Sequence, residues 1–159
     1  MFKTLAACLM LLILVAPSPV LGRGKFPISH QAAEIESLVN KASDVLVERG
    51  SEAFADFRTK GSSWRYADVY LFVVDMNGIV LFNAARPDRE ERDFLDDRDA
   101  DGKRFHRDFI EVVKTFGSGW VDYMFPKPGQ SHAHVKWSYI CATRVDGVDA
   151  LVGAGVYVD

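Results

Sequence analysis

The sequence predicts an α+β domain: a five- to six-stranded antiparallel sheet, with a long N-terminal helix and a second helix packed alongside. Three observations carry this. A segment starting at Ser29 repeats apolar residues at spacings of three and four, the helical period. The pair Asn77-Gly78 lies between two β-branched and aromatic runs, a strong short-range hairpin signal. A second amphipathic segment is followed by three more strand patterns with hairpin-type connections, so neighbouring strands run antiparallel. Helices on one side of a single such sheet make an α+β layer.

The elements follow in order. Residues 1–22 carry Lys3, then the twelve-residue apolar run LAACLMLLILVA, then PSPVLG with small residues at Val20 and Gly22. That is the three-part pattern of a secretory signal peptide cleaved near Gly22. The run is short of the ~20 residues that span a bilayer, which disfavours the alternative of a retained anchor. No cysteine follows the small residues, so a lipoprotein anchor does not fit. Residues 23–28 read as a linker and 29–159 as one domain, periplasmic or secreted. In the first helix Ile35, Leu38, Val39, Ala42, Val45 and Leu46 share a face, Ser29 is a candidate N-cap, and Gly50 marks a break or kink. DVYLFVVD and IVLFNA form the hairpin over 67–84. RPDREERDFLDDRDADGKRF holds 14 charged residues among 20; a loop this long folds over something or carries function. Phe105, Phe109, Val112, Val113 and Phe116 mark the second helix, closed by Gly117. Strands are expected at 119–125, 134–144 and 150–158, the last pair joined by VDGVD.

Composition narrows the function classes. The chain has 159 residues, 48% hydrophobic and 26% charged, enough for a core without a disulfide or metal staple. The net charge of −3, without a Lys/Arg block, lacks the footprint of a nucleic-acid binder. Cleavage would remove Cys8 and leave Cys141 alone, with no internal disulfide; in WSYICAT it reads as a small buried hydrophobe. No nucleophile elbow, zinc-protease helix, phosphate loop or haem motif occurs, and Ser62, Ser63 and His106 make no recognisable triad, so an enzyme is not expected. DRDADGKRFHRD places Asp97, Asp99, Asp101 and Asp108 at positions 1, 3, 5 and 12 of a calcium-type loop, with Gly102 at position 6. The twelfth ligand is Asp instead of Glu, and Arg104 takes a normally apolar position, so a solvated turn leading into the helix is the stronger expectation. His132 and His134 share a strand face, but His30 and His106 lie far off in sequence and two histidines do not complete a zinc site. No cofactor is expected.

A different constellation suits a small organic anion. Arg65 and Lys136 offer positive charge, Tyr70, Tyr123 and Tyr139 hydroxyls, and Trp64 and Trp120 walls that exclude water. Alternation cautions against the full set: Lys136 and Tyr139 are an odd number apart and take opposite faces of a regular strand. The ordinary alternative places the aromatics in the core, with the cations snorkelling to water.

Several segments taken in series resemble the single Cache domains of bacterial extracytoplasmic sensors. They are AAEIESLVNKASDVLVERG, YADVYLFVVDMNGIVLFN, an acidic segment ending in Asp101-Gly102-Lys103 before a helix, GWVDYMFPKP, the Lys136-x-x-Tyr139 pair and VGAGVYVD. The resemblance covers about residues 30–159. It implies a PAS-like fold whose concave sheet face holds a short carboxylate such as acetate, pyruvate or lactate, and a role as the sensing part of chemoreceptors or histidine kinases. Trp120, Tyr123, Lys136 and Tyr139 match its motifs; Arg65 and Tyr70 rest on chemistry and position. Phe82-Asn83 stands where many members have a histidine with a proline soon after. In receptors the last strand feeds a transmembrane helix; here the sequence ends at Asp159, which suggests a free-standing module acting through a sensor kinase, chemoreceptor or transporter. The rival expectation is an interaction module without a ligand, forming a homodimer through the long helix.

Overall fold

The computed structural model describes residues 25–158. The expected signal peptide lies outside the described residues. Among the described residues no helix is long and apolar enough to cross a membrane. Part of the expected linker is docked onto the domain: the Phe26 ring lies 5.3 Å from Trp120 and 5.1 Å from Trp137, edge-on to both.

Helix α1 spans Ser29–Arg49. Ser29 is its first helical residue and not the cap, since Ile28 holds the N-cap position without a side-chain bond. The helix stops at Gly50, whose φ of 57° is readily adopted only by glycine. A 3₁₀ turn over Gly50–Ala53 leads into the short α2, Phe54–Arg58. A Cβ at position 50 would overlap the Asp146 carboxylate, and the Ser51 N–H donates to both oxygens of that carboxylate at 3.3 Å.

The strand expected over the first half of the hairpin is interrupted at Leu71. Its start, β2 (Val69–Tyr70), pairs with β1 (Arg65–Tyr66) in a separate two-stranded sheet. Its end, β3 (Phe72–Asp75), pairs with β4 (Val80–Asn83). The Asn-Gly turn is tied by Asp75, whose carboxylate accepts the N–H groups of Asn77 and Ile79, each at 2.8 Å. After α3 (Phe105–Phe116) come β5 (Ser118–Pro126), β6 (Ala133–Val145) and β7 (Val148–Tyr157). The main sheet is antiparallel with order β4-β3-β7-β6-β5, so the last strand of the chain is the central one.

The two long helices lie on opposite faces of this sheet, not on one side. Val73, Val152 and Ala154 point to the α1 face, with Val39 and Leu46. Phe72, Val74, Ile140 and Leu151 point to the other face, with Phe109 and Val113 of α3. The sequence sign of this is the run FVV in β3 and ALV in β7: both parities are apolar, as in strands covered on both sides.

The charged loop completes the α3 face. It is sewn to β4 by Glu91 N–H to Val80 O (2.8 Å), Val80 N–H to Arg92 O (3.0 Å) and Phe94 N–H to Gly78 O (3.0 Å). It is sewn to β5 by Asp99, which accepts Met124 N–H at 2.9 Å, and by Lys103 Nζ, 2.9 Å from Asp122 Oδ1. Glu90 holds the loop root through Arg58 and the Asn83 N–H.

Gly78 is where hairpin and loop touch most closely. Its φ is 92°, and a Cβ there would stand 2.8 Å from Leu95 Cα and 2.9 Å from Leu95 N, backbone atoms that cannot turn aside. Gly61 has a similar φ of 74° with open space around it. Gly61→Ala is expected to cost about 1 kcal/mol, the left-handed penalty alone. Gly78→Ala should cost at least about twice that, because the loop must also shift. Equal losses in urea unfolding of the two variants would refute the contact argument.

Candidate functional site

β6 is thirteen residues long, and its register puts Lys136 between Tyr123 of β5 and Tyr157 of β7. Lys136, Ser138 and Ile140 alternate onto the α3 face and are fully buried. The side chain of Lys136 thus ends inside the layer between sheet and loop. Its Nζ has no hydrogen-bond partner. It lies 3.9 Å from the centroid of the Tyr70 ring, 5.2 Å from Tyr157, 5.6 Å from Phe72 and 5.8 Å from Phe125. Cation–π attraction supplies about 2 kcal/mol when desolvated, less than the several kcal/mol lost when an ammonium leaves water. Burial accordingly pulls the Lys136 pKa down to about 7, against a weak opposing pull from Asp68.

The hydroxyls around it are occupied with one another. Tyr157 donates to Pro126 O at 2.6 Å, which leaves its oxygen to accept from Tyr70 at 3.3 Å. Tyr123 pairs with Ser138 at 3.0 Å. Burial raises the pKa values of Tyr70, Tyr123 and Tyr157, so all three stay neutral.

Tyr70, Phe72 and Phe125, which surround the Lys136 ammonium, also line an adjoining narrow cavity of about 20 Å³, together with Asn83, Arg89, His106 and Tyr123. That volume suits about one water molecule. Arg89 enters from the 3₁₀ turn Pro87–Arg89. Its guanidinium stacks 3.5 Å over Phe94 and reaches Asp97 Oδ2 only at 3.4 Å. Burial lowers its pKa. His106, on the first turn of α3, stacks between Phe94 and Phe105, and its Nδ1 has no partner. Burial, assisted by Arg89, pushes its pKa down to about 3.

The seven residues singled out in the sequence are therefore split. Tyr70, Tyr123 and Lys136 come together. Tyr139 faces α1, as alternation requires, and its hydroxyl donates to Ser118 Oγ at 2.8 Å. Trp120 packs at a tilt against Tyr139 under α1, with its indole N–H on Glu36 at 2.8 Å. Trp64 packs against Phe57, 4.8 Å between centroids. Arg65 donates to Arg58 O at 3.1 Å and lines an open groove beside Tyr70. The sequence reading missed Tyr157, Arg89 and His106. His106 was findable: with Phe109, Ile110 and Val113 it completes an i, i+3, i+4, i+7 stripe. Tyr157 was findable once the β6–β7 register placed it opposite Lys136. Arg89 had no signal that set it apart from the other charges of its loop.

The calcium-type reading of 97–108 meets a different geometry. Asp99 spends its carboxylate on the backbone N–H groups of Asp101, Lys103 and Met124. Asp108 faces Lys103 at 3.5 Å, and Asp97 faces Arg89. Among the described residues no three His, Cys, Asp or Glu side chains gather as a metal site would require. His132 and His134 pack edge to face, 5.2 Å apart, at the start of β6. Cys141 is half-buried on the α1 face, and burial raises its thiol pKa.

Comparison with known proteins adds a family pattern. The family model described as Cache domain matches residues 33–159. The chain is 32% identical over 92 residues to the methyl-accepting chemotaxis protein McpP of Pseudomonas putida, an alignment covering 58% of this chain and 16% of that protein. Among solved structures, a periplasmic sensor domain of a chemotaxis protein superposes with a TM-score of 0.65 at 28% identity, covering 82% of this chain and 96% of that one. A Cache chemosensory domain, described for its carboxylic acid recognition, also gives 0.65, at 25% identity with 82% and 92% covered. A methyl-accepting chemotaxis protein from Vibrio parahaemolyticus shares the fold with a TM-score of 0.67 at 20% identity, covering 83% of this chain and 91% of that one.

The buried imidazole has a consequence for acid stability. An ordinary histidine takes up its proton near pH 6.5, whereas His106 holds out to about 3. Between these values the unfolded chain binds one proton more than the native one, so stability falls as pH falls through that window. His106→Leu is expected to flatten the slope of unfolding free energy between pH 6 and 4 by about 1.4 kcal/mol per pH unit. An unchanged slope would place the acid sensitivity elsewhere.

Proposed function

This chain belongs to the Cache domain family, and from that premise we propose that it is an extracytoplasmic sensor domain that binds a short carboxylate on Lys136. The observation that carries the reading is the Lys136 ammonium, fully buried and without a hydrogen-bond acceptor. A ligand carboxylate supplies both the missing acceptor and the missing counter-charge, in a medium where such pairs are strong. The phenylalanine and tyrosine rings around it suit a short carbon chain. Arg89 and the unpartnered Nδ1 of His106 suit polar atoms at the far end of the cavity. The chemistry that these groups favour is binding, with cations and hydroxyls placed to hold an anion.

The cavity is smaller than any carboxylic acid, so binding would have to widen it, and the charged loop that contributes Arg89 is the part of its wall held chiefly by hydrogen bonds. The backbone bonds to β4 and the Asp99 and Lys103 contacts to β5 are what that movement would strain. Ligand occupancy is thereby coupled to the position of a surface segment, which a partner protein can read. The relatives point to a chemoreceptor-type assembly as the context for this domain, outside the cytoplasm. A sensor kinase or transporter would serve the same role.

Calorimetry with acetate, propionate, pyruvate, lactate and succinate tests the reading. At least one of the monocarboxylates is expected to bind, and Lys136→Met is expected to abolish the heat. The same variant should be more stable without ligand, by about 1–4 kcal/mol at pH 6, because an unpaired buried charge is replaced by an apolar chain of similar length. That gain should be complete below pH 7 and shrink as pH rises toward the ordinary lysine value, since the native state then sheds the proton it penalises. Wild-type affinity in Lys136→Met would sink the proposal.

A further inference from the structure

Lys136 sets the chemical form in which the acid is taken. Its Nζ has neither water-accessible surface nor an acceptor, and no carboxylate lies in contact with it. The nearest groups are the rings of Tyr70 on β2 and Tyr157 on β7, with Tyr123 facing it from β5; their hydroxyls are bonded to one another, to Pro126 O or to Ser138, and remain neutral. From α3, His106 also presents a neutral ring. The charges further out are mixed: Asp68 in the β1–β2 turn favours the ammonium, while Arg86 and Arg89 of the loop add positive potential at the neighbouring Tyr70, and Arg89 at Tyr123. Without a ligand the ammonium thus has only ring faces and the more distant Asp68 in its favour, and no acceptor in contact with it.

We infer that the site takes a carboxylate and a proton together, so that the domain responds to the undissociated acid and not to the anion alone. The inference rests on the carboxylate reading above and specifies it. The balance is simple. Above pH 7 the ligand-free site holds Lys136 mainly as an amine, and the acid, or its anion with a proton released by the buffer acid, supplies one proton. An N–H bond forms, the acid O–H bond breaks, and the product is an ammonium–carboxylate pair with no net charge. A neutral pair is also the form that a closed aromatic cavity accommodates with the smallest desolvation penalty. Geometry and burial point the same way: the Lys136 amine is half-protonated near pH 7 in the empty site, and a carboxylate in contact raises that value.

The consequence is a receptor domain that weighs acidity and metabolite together. Above pH 7 the same total carboxylate would occupy the site about tenfold less for each unit of pH, whereas below it the response would level off. Calorimetry with acetate at pH 8, run in phosphate and in Tris, reads the protons exchanged with buffer. Uptake of about nine-tenths of a proton is expected, with the dissociation constant rising about tenfold from pH 8 to 9 and changing little from 6.5 to 6. Binding without buffer-dependent heat and with a flat pH profile overturns the proton coupling but leaves the carboxylate site standing. Absence of binding by every acid tried, at every pH, overturns both. A second measurement does not depend on any variant folding: the Cε resonance of Lys136 in ¹³C-lysine-labelled protein should titrate near pH 7 in the free domain and stay at its ammonium position with saturating acetate. A resonance already at the ammonium position at pH 8 without ligand would contradict the inference.

Discussion

A sheet covered on both faces has no inexpensive place for a charge, and the rest of this structure depends on that constraint. The central strands β7 and β6 lie between α1 on one side and the charged loop with α3 on the other. An aliphatic side chain at position 136 would fit the pattern set by Ser138 and Ile140 without further comment. A lysine there gives the α3 half of the core an unmet electrostatic demand, and the aromatic residues around it reduce that demand without meeting it. The same burial explains the neutral tyrosines, the acid-resistant imidazole and the lowered amine, which are three outcomes of one solvent exclusion.

The charged loop makes this exclusion possible. Its own charges mostly find partners at the surface, as Arg86 does with Asp88 and Asp96 with Arg107. Such exposed pairs contribute little individually. The work of closure falls to backbone bonds with β4 and to Asp99 and Lys103 on β5. A roof held chiefly by hydrogen bonds at its rims, with few apolar anchors, is the kind of segment that opens locally at modest cost. The calcium-like spacing of its aspartates has a structural explanation in this setting, since Asp99 organises the turn that docks the loop on β5.

Much of the fold was legible because it rests on local rules. The Asn-Gly hairpin, the break at Gly50, the amphipathic α3 and the VDGVD turn each depend on a few adjacent residues. Two things were not local. The placement of the helices on opposite faces depends on which parity of each strand meets which helix, and the doubly apolar runs of β3 and β7 carried that information only in combination. The interruption at Leu71, which separates β2 from β3, follows from β1 competing for the first half of the run. At the site, alternation alone separated Lys136 from Tyr139, so the parity argument was stronger than the motif that joined them. Tyr157 comes beside Lys136, and Arg89 into the neighbouring cavity wall, through tertiary register and loop packing, which no single segment encodes.

Gly50 and Asp146 illustrate a different kind of dependence. The end of α1 passes so close to the turn between β6 and β7 that one position has no room for a side chain while the other provides the acceptor for Ser51. These two sites, far apart in the chain, form one heritable unit. A side chain at 50 would have to push the Asp146 carboxylate aside and with it the acceptor of the Ser51 N–H. A change at either position is thereby felt at the other, whereas the exposed charges of the loop can be exchanged one at a time.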